Sequence, residues 1–122
     1  MPPHAFSKTH RVRRKAEFQQ VFDRGSRVTS RYFTLLLARS SGPGARLGIV
    51  ASRKLGDAVR RNRAKRLIRE VFRQNQPLPG GAGVDLVVIP RRELFDAPFT
   101  DLQQDFRAAW RRGTSRLSAN GR

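Results

Sequence analysis

Residues 54 to 76, KLGDAVRRNRAKRLIREVFRQNQ, form the longest helical pattern in the chain and set the hardest condition on its fold. At 100° per residue, Ala64, Leu67, Ile68 and Val71 fall on one side of a helix. Asn62, Lys65, Arg66, Arg69 and Arg73 fall on the other, within an arc of roughly 100°, with Arg61 and Phe72 at one border. One stripe needs a core and the other repels itself. Asp57 stands ahead of the pattern as an N-cap candidate. No acid occurs between Asp57 and Glu70. Most charged helix faces are ordinary solvated faces, but those mix signs to gain pairs one turn apart. Here Arg61, Lys65 and Arg69 follow each other at that spacing as like charges, which costs stability. A face that costs the fold stability is explained by a partner that neutralises it, and phosphate is the partner this chemistry suits.

The remaining segments supply what the apolar stripe packs on. KAEFQQVFDRG, residues 15 to 25, predicts a short helix with Phe18, Val21 and Phe22 on one side and Gly25 ending it. VTSRYFTLLLAR, 28 to 39, is rich in β-branched, aromatic and aliphatic residues and reads as a strand. SSGPGA is a turn, and RLGIVASR, 46 to 53, is the next strand; the two strands are expected to form a hairpin. PLPGGAG is a loop, and VDLVVIP, 84 to 90, is a nearly all-apolar strand expected at the centre of the sheet. RRELFDAP is irregular or a single turn. FTDLQQDFRAAWRR, 99 to 112, closes the domain as an amphipathic helix, with Thr100 or Asp101 near its start and Leu102, Phe106, Ala109 and Trp110 apolar. Residues 1 to 13 read as a flexible basic arm, and 113 to 122 as a disordered tail. No internal repeat is visible. The expected architecture is a single α+β domain over 1 to 112, one sheet with helices packed on it.

Charge narrows the partner. The chain has 26 basic and nine acidic side chains, a formal net charge of +17. Residues 1 to 75 hold 19 basic and four acidic groups, net +15, and residues 76 to 122 hold seven and five, net +2. The binding surface therefore belongs to the first two thirds, and nucleic acid is the first candidate. Arginine supplies 22 of the basic residues, and its planar fork suits phosphate; a GC-rich genome accounts equally well for that bias, though not for the total charge. An anionic membrane is the second candidate, but no apolar run approaches the roughly 20 residues of a membrane span. MPPHAFSKTHRVRRK lacks the apolar middle of a signal peptide, and there is no cysteine for a disulfide, a thiolate metal site or a nucleophile. A cytoplasmic location is expected.

Chemistry by this chain alone is not expected. Two-metal phosphodiester cleavage needs clustered carboxylates, and the acids here are dispersed. General acid–base cleavage needs placed side chains, and the histidines, His4 and His10, lie in the arm. GGAG at 80 to 83 precedes a strand rather than a helix, so it reads as a turn and not a phosphate loop. No catalytic residue and no metal ligand are assigned.

LGDAVRRNRAKRLIREVFR closely resembles the signature of the bacterial ribonuclease P protein family, whose Arg-Asn-Arg triplet is followed by a Lys-Arg-Leu-Ile-Arg-like run. Arg61, Asn62, Arg63, Lys65, Arg66, Leu67, Ile68 and Arg69 carry the match, ASRKLG places Arg53 and Lys54 where the family has two basic residues, and EFQQVFDRG resembles its first helix. The resemblance covers roughly residues 8 to 112. It implies an α-β-β-β-α-β-α order with a left-handed β-α-β crossover, where sequence alone leads to the right-handed one. It implies a partner, the ribonuclease P RNA subunit, which does the chemistry with bound Mg²⁺ while the protein assists removal of the 5′ leader of precursor tRNA. No obligate protein partner is expected. Residues Arg53, Lys54, Arg61, Asn62, Arg63, Lys65, Arg66, Arg69 and Arg73 would meet the catalytic RNA. Phe18, Phe22 and Leu36 would line the leader cleft, and Lys8, Arg11, Arg13, Arg14 and Lys15 would form the basic arm. Aromatics stack on bases with little sequence demand, but Phe18 and Phe22 are also read as plain core. Leu36 departs from members with an aromatic there. The competing readings are a small ribosomal protein on ribosomal RNA and a helix-turn-helix DNA binder with residues 58 to 73 as recognition helix, which requires a short helix before it.

Overall fold

Two apolar runs, FTLLLAR and VDLVVIP, make the middle of a sheet, and the helices are arranged on its two faces. The computed structural model describes residues 15–40, 44–78 and 83–120. In chain order these form α1 (Lys15–Arg24), β1 (Ser26–Thr29), β2 (Phe33–Arg39), β3 (Arg46–Ile49), α2 (Ala58–Gln74), β4 (Val84–Pro90) and α3 (Phe99–Asn120). A 3₁₀ turn at Arg53–Leu55 precedes α2 and another at Arg92–Asp96 precedes α3. The expected α-β-β-β-α-β-α order is present.

The sheet runs β1-β2-β4-β3. β2 pairs antiparallel with both β1 and β4, while β3 and β4 are parallel. β4 is internal, paired with β2 and β3, and its continuous apolar run is covered on both faces, Leu86 and Val88 in the α2–α3 cluster and Val87 in the α1 cluster. The hairpin expected between 28 to 39 and 46 to 53 is corrected: β4 lies between β2 and β3, and the hairpin is β1–β2. The single strand expected over 28 to 39 is broken at Ser30–Tyr32. That turn is held by groups distant in sequence. Asp105 of α3 accepts hydrogen bonds from the Ser30 hydroxyl at 2.7 Å and the Tyr32 N–H at 3.0 Å, and the Arg91 guanidinium donates to the Ser30 carbonyl at 2.9 Å.

Strand alternation divides the core in two. Leu35, Leu37, Leu86 and Val88 face α2 and α3, where they meet Ile68, Val71, Phe72, Leu102, Phe106 and Trp110. Leu36, Ala38 and Val87 face the opposite way and meet Val21 of α1. On α2, Phe72 is fully buried and Leu67 only partly so, which moves the apolar stripe toward Phe72 from its expected centre. The expectation of a disordered tail from residue 113 is also corrected. α3 continues to Asn120, and Leu117, seven residues beyond Trp110, is buried. At Gly113 the helix lies so close to the sheet that a β-carbon would stand 2.5 Å from Leu37 Cδ1. The helix-turn-helix geometry is absent, because β3 and a 3₁₀ turn precede α2 where that motif needs a helix.

Candidate nucleic-acid interface

α2 starts at its cap. The Asp57 carboxylate accepts from the Arg60 N–H at 3.0 Å, and the Asp57 carbonyl accepts from the Arg61 N–H at 3.0 Å. Cations in the first turn oppose the helix dipole, so Arg60 and Arg61 gain nothing from their own helix terminus. The far end of α2 is fastened to α3: Arg107 donates to Asn75 Oδ1 at 2.6 Å, and Asn75 donates to Gln103 Oε1 at 3.2 Å. The helix is thus pinned at both ends with Ala64, Ile68, Val71 and Phe72 buried beneath it.

The outer surface follows the expected arc. Asn62, Arg63, Arg66 and Arg69 are exposed; Arg61, Lys65 and Arg73 are half-buried. Arg53 and Lys54, both exposed, flank this surface on the 3₁₀ turn, whose Leu55 is anchored in the core. The candidates on α2 differ in availability. Arg73 donates to Glu70, and that hydrogen bond raises its guanidinium above the ordinary arginine value. Part of its charge is answered within the helix. The Arg61 Nε is buried without a hydrogen-bond partner among the described residues. Arg60, also exposed, places its guanidinium 4.4 Å from the centroid of the Phe95 ring.

The candidate cleft lies across the sheet from α2. Val21 is 1% exposed and seats α1 on Leu36, Ala38 and Val87, with Phe18, Val50 and Ile89 packed around them. The three residues expected on one side of α1 part company here. Val21 takes the core position, Phe18 is half-buried, and Phe22 is 44% exposed. Leu36, expected in the cleft in place of an aromatic, lies at 4% exposure beneath Val21 as part of the cleft floor. Val50 and Ile89, which sequence reasoning did not name, border the floor. They share a face with Leu36 through the β2–β4 and β3–β4 pairings, which local pattern does not carry. Arg46 and Asp85, also unnamed, face each other across the β3–β4 register in a bidentate pair at 2.7 Å for both bonds.

Of the arm residues, Lys8, Arg11, Arg13 and Arg14 lie outside the described residues, and Lys15 is an exposed first residue of α1 rather than part of an arm. Among the described residues no three of His, Asp and Glu gather as a metal site. Asp57 caps α2, Glu70 holds Arg73, Asp85 holds Arg46 and Asp105 holds the β1–β2 turn. Among the same residues no helix is long and apolar enough to cross a membrane.

Against known proteins, a profile of the family described as Ribonuclease P matches residues 6–114. The ribonuclease P protein component of Thermotoga maritima is 40% identical over 90 residues, covering 74% of this chain and 76% of the relative. That of Brevibacillus brevis is 46% identical over 86 residues, covering 69% and 67%. Among solved structures, the ribonuclease P protein from Thermotoga maritima superposes with a TM-score of 0.71 at 37% identity, over 79% of this chain and 90% of that one. A Staphylococcus aureus ribonuclease P protein, described as a mutant with defective mRNA degradation activity, gives 0.76 at 31% identity, over 85% and 87%.

Proposed function

Since the chain belongs to the ribonuclease P protein family, a component of the holoenzyme that processes tRNA 5′ ends, we propose that its two RNA-facing surfaces serve two RNAs. The outer face of α2, with Arg53 and Lys54 beside it, binds the catalytic RNA subunit. The α1 face, with Phe22 exposed and Phe18 half-buried, receives the single-stranded 5′ leader of precursor tRNA. The observation that carries this reading is the row Asn62, Arg66 and Arg69, exposed on a helix pinned at both ends and without an acid in the stretch from 58 to 69. Such a row binds phosphate and positions RNA without reading its sequence. The exposed ring adds a base-stacking surface on another element.

Among the described residues no three of His, Asp and Glu come together as a ligand set for Mg²⁺. In this proposal the ion belongs to the RNA subunit, and the chain contributes binding and orientation only. Its place of work is the cytoplasm. The test is reconstitution with the RNA subunit of the same organism, scored on precursor tRNA cleavage at low Mg²⁺. Added protein is expected to raise cleavage where RNA alone is slow. No stimulation, or clean 5′ maturation by RNA-free protein, contradicts the proposal.

A further inference from the structure

A cavity of about 520 Å³ opens where α1 passes into β1 and the ends of β2 and α3 meet. Arg24, Arg27, Arg39 and Arg116 line it, with Gly25 and the buried Leu117 between them, and its lining holds no carboxylate. These arginines come from four elements and from positions 24 to 116. Two local features bring them together. Gly25 lets the chain turn sharply, since a β-carbon there would stand 2.4 Å from the Val21 carbonyl oxygen; this sets Arg24 and Arg27 on one rim. The packing of Gly113 and Leu117 carries α3 far enough to deliver Arg116. The Arg116 guanidinium donates to the Arg27 carbonyl at 2.5 Å, so it is held in place before any ligand arrives.

We propose that Arg24, Arg27, Arg39 and Arg116 form a binding pocket for an RNA backbone phosphate, a third RNA-binding point separate from α2 and from the α1 cleft. Among the described residues no carboxylate pairs with any of the four. Four guanidiniums around one concavity repel one another, and a bound phosphate relieves that repulsion while accepting bidentate bonds. The pocket lies toward the β1–β2 edge of the sheet, whereas α2 packs on β3 and β4. An RNA reaching both therefore spans the domain. The phosphate comes from the catalytic RNA or from precursor tRNA, and the two sources are separable.

The inference rests on the RNA-binding reading above, and one titration series tests both. The full-length Arg24→Gln/Arg39→Gln variant spares Arg116, which braces the Arg27 carbonyl. Its affinity is measured across a salt series, first for the catalytic RNA alone and then, as holoenzyme, for precursor tRNA. Each phosphate no longer neutralised lowers the slope of log affinity against log salt by about 0.7–0.9, so loss of the one phosphate held in the pocket lowers it by up to about 0.9. A change in the first arm assigns the phosphate to the catalytic RNA, and a change only in the second assigns it to the substrate. Arg24→Lys/Arg39→Lys keeps the charge and is expected to recover most of the slope, which a purely structural role would not allow. Arg92→Gln/Arg112→Gln removes the same charge from exposed positions outside the pocket and is expected to leave the slope unchanged. If the double variant melts early, Arg39→Gln alone is read, with half the change. Pocket and control variants that are indistinguishable in both arms overturn the site. Weaker binding by Arg66→Ala/Arg69→Ala in the same series, with no change at the pocket, sinks this inference alone. No weakening at either sinks the RNA reading itself.

Discussion

Phe22→Ala separates a binding ring from a structural one. Phe22 is 44% exposed, whereas its neighbour Val21 is 1% exposed beneath α1. Full burial of a large apolar side chain contributes roughly 1.5–3 kcal/mol, and Phe22 has only about half of its surface removed from water. Its truncation should therefore cost the fold about 1 kcal/mol, or about 4 °C in melting temperature for a domain of this size. Val21→Ala removes less volume from a filled site and should cost more, about 1.5–3 kcal/mol. Binding should rank the two the other way. Removing a base stack costs roughly 1–3 kcal/mol, about five- to 150-fold in affinity. The assay is holoenzyme affinity for precursors with leaders of graded length, alongside a thermal melt of each variant. Phe22→Ala should bind mature tRNA normally and fall behind only as the leader lengthens. Phe18→Ala should show both effects, because its half-buried ring also packs on the Leu36–Val87 cluster. A Phe22→Ala protein that folds normally and shows no dependence on leader length refutes the stacking role. A melting loss larger than that of Val21→Ala refutes the reading of Phe22 as a surface residue.

Other consequences follow from the same geometry. Arg66→Ala/Arg69→Ala should weaken assembly with the catalytic RNA whatever the leader, lowering the salt slope by about 0.7–0.9 for each phosphate no longer neutralised; an unchanged slope in filter binding counts against α2 as the docking face. Asp85→Ala removes the bidentate carboxylate from Arg46, whose side chain is 23% exposed against 8% for Asp85. Because Arg46 partly reaches solvent, the destabilisation should be about 2 kcal/mol, below that of breaking a fully buried pair, read as a lower urea midpoint at constant m; an unmoved midpoint contradicts a structural role for the pair. Truncation after Arg112 removes the packing of Gly113 and Leu117 and uncovers Leu37. It should cost at least about 2 kcal/mol, whereas a disordered tail predicts an unchanged melt.

The face-splitting of the sheet explains how a small domain offers separate surfaces. β2 and β4 bury both of their faces, one under α2 and α3 and the other under the shorter α1. The larger cluster holds the domain together. The smaller one, with Phe18, Val50 and Ile89 only partly covered, leaves apolar surface beside an exposed ring. Placing α2 on one side and α1 on the other keeps the basic row and the aromatic pair on different sides of the sheet.

What the amino-acid sequence determined by itself is what depends on neighbours within a turn or two. The Asp57 cap, the apolar stripe of α2, the missing acids between Asp57 and Glu70, and the signature that identifies the family are all of this kind. The central place of β4 was legible too, because a continuous apolar run tolerates cover on both faces. Register, face and strand order belonged to the tertiary structure. A period of two shows that Leu35 and Leu36 point opposite ways, but not which of them α1 will cover. The break at Ser30–Tyr32 depends on Asp105, 75 residues from Ser30, and the Arg46–Asp85 pair on residues 39 apart in the chain. The order of α3 beyond residue 112 depends on the proximity of Leu37, and the arginine pocket on the meeting of four element ends. Phe22 and Val21 look alike as members of one apolar stripe; the sheet accepts Val21 between Leu36 and Val87, and helical geometry then carries the adjacent Phe22 around toward solvent.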